Sequence, residues 1–176
     1  FGTEFGSFGI SKEYLGTMQA RTHLAPQRTW QLVLGKLSAY SLAVLLQGII
    51  FMAVTGLVLG VDWLHNLPMI LLIVYVFGIF AIALGMAIMM ITRDMKKTTT
   101  IIQVAVLGFT FLGGGFIATD FFGAEFFSPN YYAREALFGV LYGDGTALAV
   151  QYVGVLAVLS VVLVGISAFA SRRKVA

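Results

Sequence analysis

Four long stretches of the chain contain no Asp, Glu, Lys or Arg, and polar or charged segments separate them. A helix needs roughly 20 apolar residues to cross the ~30 Å hydrocarbon core of a bilayer, and each stretch reaches that length. The pattern predicts an all-α integral membrane protein that forms a single membrane domain over residues 1–176. Its four predicted spans are residues 37–61, 67–91, 101–118 and 147–170.

The composition excludes a soluble bundle. The chain is 59% hydrophobic and 11% charged, whereas a soluble domain carries about 25% charged residues. Zero cysteines exclude disulfides and thiolate metal sites. His23 and His65 are predicted on opposite sides of the membrane and no carboxylates are paired, so no metal site is expected.

Basic residues are concentrated on one side of the predicted membrane. Ten of the 11 Lys and Arg residues lie before the first span, between the second and third, or after the fourth, and only Arg134 lies on the other side. Lys and Arg in short loops mark the cytoplasmic face. Both ends of the chain are therefore predicted to be cytoplasmic, and the basic charge reflects topology rather than a nucleic-acid partner.

Polar and glycine residues within the spans are the candidates for a pathway or a hinge. Three consecutive glycines should break the third span, because each weakens a helix by roughly 1 kcal/mol relative to Ala. Non-helical backbone at membrane depth is tolerated only against protein or a water-filled cavity. The break is thus either a moving, pathway-lining element or a thin neck for close packing. The full set is Gln47, Thr55, Gln103, Thr110, Gly113, Gly114 and Gly115.

Small residues and aromatic residues predict two further features. Ala81, Gly85 and Met89 form one stripe of the second span, which indicates a packing face. Residues 119–146 are rich in Phe and Tyr, and Ser128-Pro129-Asn130 is typical of a helix start. We expect a short helix over residues 131–141 at the outer interface, or a partly inserted hairpin.

The long polar passage before the first span, residues 11–37, is basic and is interrupted by Pro26. It is either an amphipathic helix on the anionic inner leaflet or a docking helix for a cytoplasmic protein. The preceding residues 1–10 are apolar but too short to span. We expect them to be the end of an earlier helix, or sequence foreign to the natural protein.

This polar passage resembles a motif of the membrane permeases of type-2 ABC exporters. The family has Glu-Tyr-x-x-Gly-Thr-x-Arg-x-x-Leu after its second span, then Pro, Arg and a Gly-Lys pair. Here one residue rather than two separates Tyr14 from Gly16, and Arg21 falls later than usual. Residues 128–137 are similar to the family's segment between its last two spans. The matching positions are Glu13, Tyr14, Gly16, Thr17, Arg21, Leu24, Pro26, Arg28, Gly35 and Lys36.

The resemblance implies that the chain is the C-terminal part of a six-span permease. Residues 1–36 would be the end of an earlier helix and a coupling helix seated in a separate ATPase, with Glu13 to Arg28 making the contact. ATP and Mg²⁺ would bind that nucleotide-binding partner, and this chain would bind no cofactor and catalyse no reaction. A second permease copy or homologue and membrane lipid would be its other partners, in a bacterial or archaeal cytoplasmic membrane.

Three other functions are alternatives to a permease, and the residues themselves weigh against two of them. A passive channel module would require ionisable groups in the spans, and there are none. An intramembrane enzyme would require a group that activates Ser160 or Ser167, and the spans contain no His, Asp or Lys. A non-transporting membrane scaffold or sensor fits the same fold. The sequence does not indicate the substrate.

Overall fold

The computed structural model describes residues 2–14, 29–64, 66–114, 123–143 and 145–172, and this part of the chain consists of helices and turns without a strand. The predicted all-α class is confirmed. The helices are α1 (Gly2–Tyr14), α2 (Thr29–Leu59), α3 (Leu67–Thr92), α4 (Met95–Leu112), a short 3₁₀ helix (Ala124–Phe127), α5 (Pro129–Tyr142) and α6 (Thr146–Arg172).

Three of the described helices are long and apolar enough to cross a membrane: Val33–Leu59 within α2, Leu67–Thr92, and Thr146–Ala170 within α6. The predicted spans 67–91 and 147–170 match α3 and α6 closely. The first span was predicted to begin at residue 37, but α2 begins at Thr29. It ends at Leu59 because Gly60 adopts the left-handed conformation (φ 67°) that commonly terminates helices.

The predicted third span, residues 101–118, corresponds to α4 with different bounds. The predicted spans leave residues 92–100 as a connection, but only Arg93 and Asp94 separate α3 from α4. The reason is an N-cap, because the Asp94 carboxylate accepts hydrogen bonds from the backbone of Lys96 (2.9 Å) and Lys97 (3.2 Å). The helix ends at Leu112, at the start of the glycine run, and is not among the three candidate spans.

Helix α5 begins at the start signal noted in the sequence, two residues before the predicted range 131–141. Ser128 occupies the N-cap position and Pro129 the first turn, where its missing N–H costs nothing. The helix extends over Pro129–Tyr142, somewhat longer than the predicted 131–141, and ends at Gly143.

The chain divides into two compact units, and α2, α3, α4 and α6 each contribute a segment to both. The first unit comprises Phe1–Leu42, Ile79–Gln103 and Leu159–Ala176. Its buried apolar side chains include Ile10 of α1, Ile82 and Met86 of α3, and Ile102 of α4.

The second unit comprises Ala43–Gly78 and Val104–Val158. Its core joins α2, α3, α5 and α6 around Met52, Ile70, Ile73, Ala136, Val140, Ala149 and Val153. Two glycine–valine contacts draw α2 and α3 together, since a Cβ at Gly48 would meet Val74 at 2.6 Å and one at Gly78 would overlap Val44.

Candidate functional site

The predicted coupling residues fall around the boundary between α1 and residues that the structure does not describe. Glu13 and Tyr14 are the last two residues of α1, and their backbone is helical. The others, Gly16, Thr17, Arg21, Leu24, Pro26 and Arg28, lie outside the described residues. The docking prediction is therefore untested, but the two helices that flank it, α1 and α2, are described.

Helix α1 packs directly on the backbone of α3 within the first unit. A Cβ at Gly6 would overlap the carbonyl oxygen of Ile82, and a Cβ at Gly85 would overlap the carbonyl oxygen of Thr3. The contact on α3 moves backwards along the chain as α1 advances, so the two helices run antiparallel. Close approach of this kind requires small residues at the crossing. Gly85 was predicted on a packing face, which is confirmed, and its partner is α1.

The buried face of α1 is made almost entirely of small residues. Its two serine hydroxyl groups are satisfied within the helix, since Ser7 donates to the Glu4 carbonyl oxygen (3.0 Å) and Ser11 to that of Phe8 (2.9 Å). Such side chains bury no unpaired polar group and leave room for close packing. The face consists of Thr3, Gly6, Ser7, Gly9, Ile10 and Ser11.

Gly9 of this buried face contacts the start of α2. The Lys36 ammonium donates a hydrogen bond to the Gly9 carbonyl oxygen at 3.0 Å. A Cβ at Gly9 would overlap the ring of Tyr40, one turn further along α2. The helices before and after residues 15–28, α1 and α2, therefore contact each other, and α1 also packs against α3.

The structure describes all the polar pathway candidates on α2 and α4. Gln47 and Gln103 are exposed. Thr55 is used locally, because its hydroxyl accepts a hydrogen bond from the Trp63 indole (3.0 Å) and donates to the Phe51 carbonyl oxygen (2.8 Å). Thr55 therefore anchors the loop after α2.

The glycine break after α4 docks against the start of α5 in the second unit. The Ser128 hydroxyl donates to the Phe109 carbonyl oxygen (2.5 Å), and the Asn130 amide donates to the Thr110 hydroxyl (3.0 Å). A Cβ at Gly113 would meet the Ser128 hydroxyl oxygen at 2.9 Å. Hydrogen bonds across the break thus tie the end of α4 to α5. Gly115 lies outside the described residues.

Gly114 completes this junction beside a charged pair on α5. Its φ of +72° is accessible mainly to glycine, and a Cβ there would overlap the Arg134 guanidinium. Arg134 is paired with Glu135 (2.8 Å) and its guanidinium carbon lies 5.8 Å from the centroid of the Tyr131 ring. The pair is about one-third exposed, so it adds under about 1 kcal/mol to stability.

An aromatic cluster lies next to the charged pair. Tyr131 packs edge-on against Phe126 (ring centroids 5.3 Å apart) and Tyr152 (6.3 Å), and the Tyr132 hydroxyl donates to the Phe126 carbonyl oxygen (2.9 Å). Burial, followed by the influence of Tyr152 and Glu135, raises the pKa of Tyr131 above its usual value. The phenol is therefore neutral at physiological pH.

Sequence reasoning identified the glycines of this junction but missed Ser128, Asn130 and Arg134 as their partners. Ser128 was assigned as a helix cap, but no capping bond from its side chain is present and its hydroxyl reaches Phe109, 19 residues earlier. No local pattern reports a contact at that separation. Within the described ranges, no cluster of three or more His, Cys, Asp or Glu side chains is suited to a metal ion.

A comparison with curated proteins found no matching relative. The family model described as ABC-2 type transporter matches residues 5–142, which is more than half of the chain. The match covers the polar passage before α2 and helix α5, the two regions where the resemblance was noted. The chain belongs to the ABC-2 type transporter family.

Proposed function

We propose that this chain is a permease subunit of an ATP-driven exporter, which forms part of the translocation pathway and is coupled to a separate ATPase. Membership of the ABC-2 family makes the chain the membrane domain of an ABC transporter and a transport permease rather than an enzyme. ATP and Mg²⁺ would be bound by the ATPase. The ABC-2 match, which includes residues 15–28, is the observation that carries the proposal.

The contacts around α1 support a route for coupling. Residues 15–28 contain Arg21 and Arg28 and carry the family-like motif. We assign this segment to the ATPase interface, so that closure of the ATPase displaces it. Because Lys36 holds α2 to α1 and Gly85 holds α3 to α1, a displacement would reach both helices together.

The burial of α2 supports a pathway shared with a second permease copy. Only 6% of the residues in the apolar window of α2 are buried, against 33% for α3. An amide side chain facing lipid is costly, and Gln47 is exposed on this helix. We assign the exposed side of α2 that carries Gln47 to the interface with the second copy, where a polar pathway would satisfy the amide.

The fourth span and the orientation belong to the same proposal. We assign α4 and the residues that follow it to a span that ends in the glycine break, with α5 at the outer interface. The basic residues then lie inside, in a bacterial or archaeal cytoplasmic membrane, with both ends of this chain cytoplasmic.

The test is ATPase stimulation in liposomes that contain the complete transporter. Arg21→Ala and Leu24→Ala should each lower substrate-stimulated ATP hydrolysis and export by roughly tenfold or more, because truncating an interface anchor costs about 1.4 kcal/mol or more. Lys97→Ala removes a charge from the same side of the membrane outside the segment and should leave both rates within about twofold. Normal export by Arg21→Ala and Leu24→Ala would contradict the coupling assignment.

A further inference from the structure

An open groove of about 690 Å³ lies in the first unit between the end of α3 and the last turns of α6. Its lining comes from Met90, Ile91 and Arg93 on one side and includes Gly165 and Ile166 on the other. Among the described residues that line it, only Arg93 is charged. The volume lies within the roughly 300–1,000 Å³ typical of ligand pockets.

The α6 side of the groove includes a glycine, Gly165. A Cβ at Gly165 would have no neighbour within 4 Å, so the backbone leaves room that a larger side chain would fill. The apolar side chains beside it are open to the surroundings, with Ile91 64% and Phe169 62% exposed. In a bilayer such a recess is filled by lipid acyl chains, because the side chains that line an empty void would lose their dispersion contacts.

Arg93 lines the groove from the turn between α3 and α4. Its backbone is left-handed (φ 53°) and its N–H donates to the Met89 carbonyl oxygen at 2.9 Å. Glycine is the usual residue at this helix-terminating position, so an arginine here accepts backbone strain. The Thr92 and Thr98 hydroxyls hydrogen-bond across the same turn. No described carboxylate forms an ion pair with Arg93.

We propose that this groove is a binding site for an anionic phospholipid, with one acyl chain along α6 and the phosphate on the Arg93 guanidinium. Two observations support this occupant. The apolar lining ends in a single cation, which matches the apolar tail and anionic head of the lipid. Arg93 also directly follows the candidate span Leu67–Thr92, which is the depth of the headgroups. Guanidinium groups bind phosphate through paired charge-assisted hydrogen bonds. The proposed function would place this site in the inner leaflet, and only that placement rests on the proposed function.

Lipid binding to the chain, purified in detergent and delipidated, tests the proposal. Native mass spectrometry would follow titrations with phosphatidylglycerol and phosphatidylcholine of identical acyl chains, and with glycerol 3-phosphate. The parent should bind one phosphatidylglycerol roughly tenfold more tightly than phosphatidylcholine, as expected for one charge-assisted contact. Glycerol 3-phosphate should bind at least about tenfold more weakly than phosphatidylglycerol, because it lacks the acyl chains.

Two pairs of variants separate the headgroup contact from the groove. Arg93→Ala should reduce the preference for phosphatidylglycerol to less than about threefold, whereas Lys97→Ala, an exposed cation of α4 outside the lining, should retain it. Gly165→Leu should weaken both lipids roughly tenfold by filling the groove. Gly154→Leu on the same helix, also without a neighbour within 4 Å, should bind as the parent does.

Several outcomes would overturn the proposal. The first is an unchanged preference for phosphatidylglycerol over phosphatidylcholine in Arg93→Ala. The others are an equal loss of that preference in Lys97→Ala, or lipid binding by Gly165→Leu as tight as that of the parent. Binding of glycerol 3-phosphate as tightly as phosphatidylglycerol would indicate a free-anion site. A changed oligomeric state of Gly165→Leu with unchanged lipid binding would indicate that a second copy covers the groove. None of these measurements involves ATP hydrolysis, so failure of the coupling assignment would leave the result intact.

Discussion

Replacing Gly85 by Ala should destabilise the protein, whereas the same replacement at Gly154 should stabilise it. Both residues lie within helices, where Ala is favoured over Gly by about 0.5–1 kcal/mol. At Gly154 no atom lies within 4 Å of the added Cβ, so the gain is retained. At Gly85 the Cβ would overlap the Thr3 carbonyl oxygen. That oxygen belongs to the backbone and cannot move away by a rotamer change, so α1 itself must shift.

The magnitude follows from these two terms. Overpacking a close contact costs about 1–3 kcal/mol, and a backbone partner places Gly85→Ala towards the upper end of that range. Subtracting the helix-propensity gain leaves a net loss of about 1–2 kcal/mol, against a gain of about 0.5–1 kcal/mol for Gly154→Ala. A change of 1 kcal/mol shifts Tm by roughly 2–4 °C in a chain of this size. The two variants should therefore differ in Tm by roughly 3–12 °C.

Thermal unfolding in detergent micelles, followed by the fluorescence of the two tryptophans, measures this difference. A second measurement should compare Gly85→Ala with the Gly6→Ala/Gly85→Ala double variant. Once α1 has shifted to accommodate one methyl group, the second should cost less than it does alone, since the two sites share an interface. A Tm for Gly85→Ala equal to or above that of Gly154→Ala would refute the backbone contact between α1 and α3.

Three further predictions concern the junction of α4 and α5 and the residues beside it. Gly114→Ala should lower stability by about 1–2 kcal/mol, because the φ of Gly114 is +72° and the added Cβ would overlap Arg134. Gly108→Ala, whose Cβ would have no neighbour within 4 Å, should instead raise Tm. Equal changes in Tm for the two variants would contradict the assigned turn. Glu125 has a buried carboxylate oxygen without a partner among the described residues, so Glu125→Gln should keep or raise Tm. Glu135→Gln should lower Tm slightly, because it loses the ion pair with Arg134. A clearly lower Tm for Glu125→Gln would show that the carboxylate is needed. Because burial, Tyr152 and Glu135 raise the pKa of Tyr131 above 10.0, its stabilising contribution is complete below about pH 10 and lost as the pH rises through the raised value. In a pH titration followed by phenolate absorbance, the step that is present in the parent and missing from Tyr131→Phe should lie above pH 10. A step at or below pH 10 would contradict the raised pKa of Tyr131.

Strong, uninterrupted patterns predicted helix positions well. Helix α3 matches its predicted bounds within one residue, because a continuous apolar run lies between Pro68, which suits a helix start, and charged Arg93. The start of α5 was likewise evident from Ser128 and Pro129. The predicted third span begins at residue 101, later than α4, because the polar lysines and threonines before it do not indicate a membrane span. Asp94 nevertheless caps a helix that begins at the next residue.

Contacts between distant residues were not predictable from the sequence. Gly85 was assigned to a packing stripe by its spacing, but nothing local indicates that the stripe meets Thr3 and Gly6 of α1. Arg93 was counted only among the basic residues that indicate orientation, because a left-handed φ at an arginine leaves no trace in the sequence. Such features arise from tertiary packing, which overrides the preference of the individual residue.

The kind of contact that α1 makes determines how well it can transmit a displacement. A side chain packed on another side chain can absorb a small shift by changing rotamer, whereas a backbone pressed on a backbone has no such freedom. At Gly6 and Gly85 the contacts are of the second kind, and α1 is also held to α2 by the Lys36 hydrogen bond to Gly9. A push on residues 15–28 would therefore move α1, the start of α2 and the adjoining part of α3 together. Coupling through a rigid contact requires no specific chain of side chains, so the small residues of α1 need only remain small for the transmission to work.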